Sequence, residues 1–328
     1  MGTVVILGTG GTIAGAGTDP SRAWAYQAAQ LGVAQLVAAV PALAGVSLEA
    51  RQVAQVDSKD MGWPVWRALG QALHETLARD EVDGVVITHG TDTLEETAWL
   101  LQQLHDGRKP IVLTAAMRPA TAPDADGPGN LRDAVRVAQW AAARGLGGVA
   151  VVMHGRVWAA ADVRKAHSHD IDAFDGGGAA PLAVLDESGV KEAAALQASQ
   201  ASTQSTWPAT AGLGWALLQA PVPPRVELIT SHADADGWLV DAALAHATHA
   251  DALRGLVVAG TGHGTLHQGL EAALQRAQDA GVVVWRSSRV ARGGVLAREG
   301  DRWPAAGALT PAQARLALCL SLLLSDRR

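Results

Sequence analysis

Two segments of this chain bring hydroxyl and carboxylate side chains to places where the backbone turns closely. In Gly8-Thr9-Gly10-Gly11-Thr12-Ile13-Ala14-Gly15, glycines allow backbone amides to approach a small substrate and to hold the Thr12 hydroxyl against it. A dinucleotide reading of the same glycines fails, because Ile13 stands where the fingerprint requires glycine. In His89-Gly90-Thr91-Asp92, Gly90 permits a tight turn and polar side chains crowd a strand end. Both segments also admit plainer readings: Thr12 as a residue that satisfies turn amides, Thr91 and Asp92 as ordinary helix caps. Lys165 adds a third element, since a desolvated lysine can lose its proton near neutrality and act as a base, although solvated lysines are the norm. His167 and His169 would suit a metal only on an extended segment, and no cysteine or second histidine pair completes a site. Tyr26, the chain's single tyrosine, sits on a Gly-containing loop as either a lid residue or a surface aromatic.

The elements that must position these residues are legible from periodicity. Val82 to Thr88 is a short β-branched run suited to a buried strand, and Leu94, Ala98 and Leu101 recur at helical spacing after it. Thr93 and Glu96 have the offset of a capping box at that helix start. Strands are also predicted at Thr3–Leu7, Val46–Val56, Ile111–Ala115 and Val149–Met153, with helices at Gln27–Val40, Trp63–Arg79 and Asn130–Arg144. Such alternation predicts right-handed βαβ crossovers, hence a mostly parallel sheet flanked by helices, with ligands at the carboxyl ends of strands. Residues Ala193 to Pro224 carry no charge and read as a connection. The expected organisation is an N-terminal catalytic α/β domain over 1–195, a linker over 196–224, and a smaller C-terminal parallel α/β domain over 225–328. That second domain carries strands at Val226–Thr230, Leu256–Ala259 and Val282–Trp285, and a last helix opened by Thr310-Pro311 with Gln313 as capping partner.

Composition narrows the classes of function. With 328 residues, 48% of them hydrophobic and 18% charged, the chain exceeds the usual single-core size and is not a largely disordered protein. A net charge of −6 with scattered basic residues leaves no footprint for nucleic acid. No apolar run is long enough for a membrane span, and Met1 is followed so soon by a core strand that a cytoplasmic location is expected. The single cysteine, Cys319, lies in an apolar run, has no disulfide partner and reads as a core residue.

Taken together, Gly10-Gly11-Thr12-Ile13-Ala14-Gly15, Asp57-Ser58-x-Asp60-Met61, His89-Gly90-Thr91-Asp92-Thr93-x-Glu95-Glu96-Thr97-Ala98, Ala116-Met117-Arg118-Pro119 and Lys165 resemble the bacterial-type L-asparaginase family, including its glutaminase-asparaginases. The resemblance extends to Tyr26-x-Ala28 leading into Gly32-Val33, and to Trp285-Arg286-Ser287-Ser288-Arg289-Val290. Two long threonine motifs in the right order make it specific.

That resemblance implies an amidohydrolase that converts L-asparagine to L-aspartate and ammonia through an acyl-threonine, without cofactor or metal. Thr12 would be the nucleophile, with Tyr26 on a mobile loop closing over it, and Thr91, Asp92 and Lys165 a second cluster in which Lys165 acts on protons through Thr91. Asp92 would bind the substrate ammonium and Ser58 its carboxylate, with Asp57 beside them and Gly90, Thr91 and Ala116 contributing to substrate binding. A threonine hydroxyl is a weak nucleophile, so a nearby proton acceptor and donors for the oxyanion are required; the backbone amides of Thr91 and Ala116 are candidates. Assembly as a homodimer or homotetramer is also implied, because the family sends an Asn and a Glu from a neighbouring subunit into the site. Here the corresponding positions are His263 and, in a shortened segment, Glu299. Lys59, where the family commonly has Gln or Glu, is expected to add positive charge near the pocket mouth. Glutamine as the better substrate is a rival in the same class, since one methylene is worth only about 1–3 kcal/mol. A non-catalytic amino-acid-binding protein is the rival of another class.

Overall fold

A computed structural model of the chain describes residues 2–17, 26–193, 209–246 and 252–327. The chain divides into two compact units, Met1–Gln219 and Ala220–Arg328. In the first, an eight-stranded sheet runs in the order Gly189–Glu192, Ala183–Asp186, Arg156–Ala159, Gly148–Met153, Pro110–Thr114, Val82–Thr88, Thr3–Gly10, Leu48–Val56. The strands from Gly148–Met153 to the Leu48–Val56 edge pair in parallel. Alternate residues of each strand feed opposite faces, as the pleat requires. Val4, Ile6, Val86, Val112 and Val152 enter one buried cluster with the Gly127–Ala142 helix, whereas Val5, Leu7, Val85, Ile87 and Leu113 enter another with helices Trp63–Leu77 and Leu94–Leu104. Both faces are covered, which is why these strands are apolar throughout their length.

The sheet is mixed, because its other edge is antiparallel. Met153 turns back through His154 (φ 48°) and Gly155 (φ 69°) into Arg156–Ala159, the positive-φ pair of a tight hairpin. A second hairpin turns at Gly189 (φ 130°), where Asp186 accepts hydrogen bonds from the Ser188 amide and hydroxyl. The helix expected over Gln27–Val40 is confined to Val33–Ala38.

Thr3–Gly10 pairs with Leu48–Val56 on one side and Val82–Thr88 on the other. The chain crosses from Thr3–Gly10 to the Leu48–Val56 edge and then back past it to Val82–Thr88, so the order reverses there. The carboxyl ends of Thr3–Gly10 and Val82–Thr88 therefore flank a crevice of the kind in which open α/β sheets bind ligands.

The uncharged connection read over 196–224 overlaps residues 194–208, which lie outside the described residues. Beyond them, Trp215–Gln219 belongs to the first unit: the Leu218 carbonyl accepts from Trp63 Nε1 at 3.1 Å and Arg67 Nε at 3.0 Å. In the second unit, Arg225–Thr230, Leu253–Gly260 and Val283–Ser288 form a parallel three-stranded sheet. Helices Trp238–Ala245, Gln268–Asp279 and Pro311–Ser325 accompany it. Thr310 and Gln313 close the capping box at the last helix. Cys319 is buried, and burial pushes its thiol up to about 11, leaving it without thiolate character near neutrality. No helix among the described residues is long and apolar enough to cross a membrane.

Candidate active site

The first strand ends in left-handed glycines, Gly10 at φ 108° and Gly11 at φ 84°, before a 3-10 turn over Thr12–Ala14. Side chains are excluded here by neighbours as well as by backbone angle. A Cβ on Gly11 would stand 2.4 Å from the Gly90 nitrogen, and one on Gly90 would stand 2.4 Å from Ser58 Oγ. The turns carrying Thr12 and Thr91 are thus in direct backbone contact at the crevice, and the Ser58 side chain packs against the second of them.

Each turn presents one part of the site. Thr12 Oγ1 lies 2.6 Å from Tyr26 OH. Ser58, in the 3-10 turn Ser58–Asp60, accepts from the Asp92 amide at 3.1 Å through Oγ, which leaves its own hydroxyl proton for another acceptor. Its carbonyl accepts from Thr93 Oγ1 at 2.8 Å. That contact corrects one expectation: the Thr93 side chain makes no cap hydrogen bond at the Leu94–Leu104 helix and ties two site turns together instead.

Lys165 arrives on the short strand Arg164–Lys165, which pairs with Phe174–Asp175. Its Nζ donates to Thr91 Oγ1 at 2.9 Å and to Asp92 Oδ1 at 2.6 Å. The Lys165 side chain is 19% exposed and that of Asp92 51%, so the carboxylate remains open to a solute from the solvent side. The Lys165 backbone amide donates to Glu95 Oε2 at 2.7 Å, and burial raises the Glu95 carboxyl above the usual range.

Thr12, Tyr26, Thr91, Asp92 and Lys165 line one cavity of about 610 Å³, with Met117, Arg118, Asp124, Ser168 and His169 completing the wall. Two clusters separated in sequence, Thr12–Tyr26 and Thr91–Asp92–Lys165, therefore face a common space. Asp57, Ser58, Gly90 and Ala116 are not among the lining residues. Ser58 and Ala116 are buried behind the cavity. Asp57 caps its own turn and accepts from Lys59 Nζ at 2.9 Å, which also donates to Asp60. The positive charge expected from Lys59 is thereby neutralised locally, and these carboxylates hold its ammonium above the ordinary lysine range.

Sequence reasoning assigned no role to Asp126 and Asn130, which pin the turn around Ala116. The Asp126 carboxylate accepts from the Met117 amide at 3.0 Å and the Arg118 amide at 2.9 Å, while Asn130 Nδ2 donates to the Ala115 carbonyl at 2.9 Å. The available signal was Asp126 just before Gly127-Pro128, a polar residue at a proline-opened helix. His167 Nδ1 accepts from the Asp170 amide at 2.9 Å, which makes it a turn residue. In the second unit, His263 Nε2 accepts from the Leu296 amide at 2.9 Å and Glu299 is exposed.

The sequence over residues 3–197 matches the family model "Asparaginase, N-terminal", and residues 225–327 match "Glutaminase/Asparaginase C-terminal domain". The chain belongs to the asparaginase family. Among its asparaginase relatives, it is 35% identical over 329 residues to the glutaminase-asparaginase of Pseudomonas fluorescens biotype A, covering 98% of this chain and 86% of that one. It is 35% identical over 325 residues to L-asparaginase 2 of Escherichia coli K12, covering 97% and 88%. A crystal structure of the probable cytoplasmic L-asparaginase from Campylobacter jejuni superposes with a TM-score of 0.87 at 31% identity, covering 98% of this chain and 95% of the other.

Beneath the site, His89 is fully buried, and burial pushes its imidazole down from 6.5 to about 4. An unfolded chain takes up a proton on this residue below about pH 6.5, and the folded chain does not until about pH 4. Stability from this group is therefore complete above pH 6.5 and is lost as pH falls towards 4, by up to about 1.4 kcal/mol per pH unit. His105, also shifted down by burial, acts in the same direction. Urea unfolding across this window should show the slope, and His89→Leu should flatten it; an unchanged slope in the variant would assign the loss to other groups.

Proposed function

We propose that this chain hydrolyses the side-chain amide of L-asparagine to L-aspartate and ammonia, with Thr12 as the nucleophile. The observation carrying this reading is the shared cavity, whose lining includes both the Thr12–Tyr26 pair and Thr91 with Lys165 and Asp92. In the first half-reaction Thr12 Oγ bonds to the amide carbon, its proton passes by way of a neighbouring group to the amide nitrogen, and the C–N bond breaks to release ammonia. Water then attacks the ester and restores the Thr12 hydroxyl. Amides at Thr91 and Ala116 are suited to the oxyanion, and Thr91 with Lys165 to proton transfer. Asp92, half exposed beside the cavity, is suited to a substrate ammonium, and Ser58 to a carboxylate, with Asp57 and Gly90 supporting that end.

Tyr26 is assigned to positioning and activating Thr12. Tyr26→Phe removes the 2.6 Å contact while keeping the ring, so kcat should fall by roughly 10²–10⁴-fold with little change in Tm. A large loss of Tm with normal kcat would give the residue a packing role. Residues 18–25, through which the mobile-loop reading runs, lie outside the described residues.

Glutamine is the second reading, favoured by relatives named glutaminase-asparaginase. Self-association, with His263 and Glu299 near a neighbouring copy's site, and a cytoplasmic location belong to the same proposal; the first is supported by the family resemblance, the second by the Campylobacter neighbour's description. Ammonia release from L-asparagine and L-glutamine, measured on one preparation, is the test. Turnover of asparagine is expected, a faster reaction with glutamine would reverse the preference, and release from neither would leave an amino-acid-binding protein.

A further inference from the structure

His89 does no chemistry in the reaction above, yet it is wholly buried directly behind the turn that carries Thr91. Its hydrogen bonds determine their own directions. The Gly90 carbonyl oxygen, 2.7 Å from His89 Nδ1, can only accept, so Nδ1 carries the proton. His89 Nε2 is then an acceptor, and the Thr97 hydroxyl 3.0 Å away donates to it. Thr97 Oγ1 in turn accepts from Trp66 Nε1 at 2.9 Å. Every hydrogen along Trp66–Thr97–His89–Gly90 thus has one place to go, and the imidazole is a neutral Nδ1–H tautomer held at both ends.

The last bond in that chain falls on the peptide linking Gly90 to Thr91. A trans peptide points its carbonyl and its amide hydrogen to opposite sides, and the described chain contains no cis peptide. Fixing the Gly90 oxygen on the buried imidazole therefore turns the Thr91 N–H to the side away from His89, and Thr91 lines the cavity. Gly90 has no side chain with which to restrain this plane, and a Cβ there would strike Ser58. Restraint has to come from a neighbour.

We propose that His89 is a positioning residue that aims the Thr91 backbone amide at the oxyanion formed when Thr12 attacks. This deepens the reading of the site as an amidohydrolase and rests on it. Oxyanion donors act on charge that develops in the transition state, so a donor knocked out of line lowers kcat and leaves KM nearly unchanged. Deleting one such donor costs about 10²–10³-fold in kcat. Here the amide is re-aimed and not deleted, so the expected loss is smaller, on the order of 10-fold.

His89→Leu keeps most of the volume and removes the Nδ1 donor; His89→Asn places an amide nitrogen near the Nδ1 position and keeps it. The expected result is a kcat lowered about 10-fold in His89→Leu with KM unchanged, and most of that loss recovered in His89→Asn although Asn fills the core less well. A packing role predicts the opposite order, with Asn the worse of the two and activity following Tm. Nitrogen-15 NMR of the imidazole in the unsubstituted protein is an independent check: the Nδ1–H tautomer is required, and an Nε2–H tautomer would overturn the assignment even if neither variant folds. Normal ammonia release by the parent with undiminished kcat in His89→Leu removes this proposal alone. Absence of release by the parent removes the reaction reading, and with it the oxyanion, while the tautomer measurement stands by itself.

Discussion

Thr12→Ala is expected to abolish turnover of asparagine and to leave no acylated protein in intact mass spectra recorded after mixing. Thr91→Val, by contrast, should still acylate and then hydrolyse slowly, so that an adduct accumulates and peptide mapping places it on Thr12. The two hydroxyls face one cavity but have different partners. Thr12 Oγ1 meets another hydroxyl, that of Tyr26, whereas Thr91 Oγ1 accepts a hydrogen bond from the Lys165 ammonium. An oxygen already engaged by an ammonium is a poorer nucleophile and a better proton conduit. Removing a proton-transfer group typically lowers rates about 10²–10⁴-fold, while removing the nucleophile leaves no covalent route. An adduct on Thr91 in the parent protein, or an active Thr12→Ala, would reverse the assignment.

Asp92→Ala carries the next largest expectation. Its carboxylate already holds the Lys165 ammonium at 2.6 Å and keeps roughly half its surface open, so one carboxylate can be shared between an internal and an incoming cation. Bound substrate would cover that open half, and truncating one partner of a buried hydrogen-bonded charge pair costs about 2–5 kcal/mol, or roughly 30- to 5,000-fold in kcat/KM. Steady-state kinetics on free asparagine should show that loss. Near-normal kcat/KM would mean that the substrate ammonium is gripped elsewhere.

How far the sequence could be read follows from where structure is dictated locally. Val4 to Leu7 and Val85 to Ile87 are apolar on both faces because both are covered, and runs of that kind announce buried parallel strands. The threonine motifs were legible because two of them stand in the order of a known family; each alone also admits a plain turn or cap role. Legibility failed where tertiary partners overrode local preference. Residues 28–31 have an apolar pattern that extends the helical period, yet the Ala29 amide donates to the Gly11 carbonyl and those of Gln30 and Leu31 to Ala14. Ala29 takes φ 56° to do so. The segment is spent bracing the Thr12 turn, which no periodicity count can anticipate. Thr93 likewise had the spacing of a cap and used its hydroxyl on Ser58. The antiparallel edge was missed because His154-Gly155 is a weak hairpin signal compared with Asn-Gly or Asp-Gly.

The contact of Gly11 with Gly90, and of Gly90 with Ser58, also bears on how this enzyme can be altered. With no side chain between these turns, the spacing of the two threonines is set by main-chain atoms meeting main-chain atoms. Randomising those glycines in a library should mostly sample inactive protein, since even alanine has to force the Thr12 and Thr91 turns apart. Diversity aimed at substrate scope belongs on the rest of the lining, at Met117, Arg118, Asp124, Ser168 and His169, which border the cavity away from those glycine contacts. The molecule thus separates an immutable gauge from an adjustable rim, and directed evolution for longer amides should find its gains on the rim.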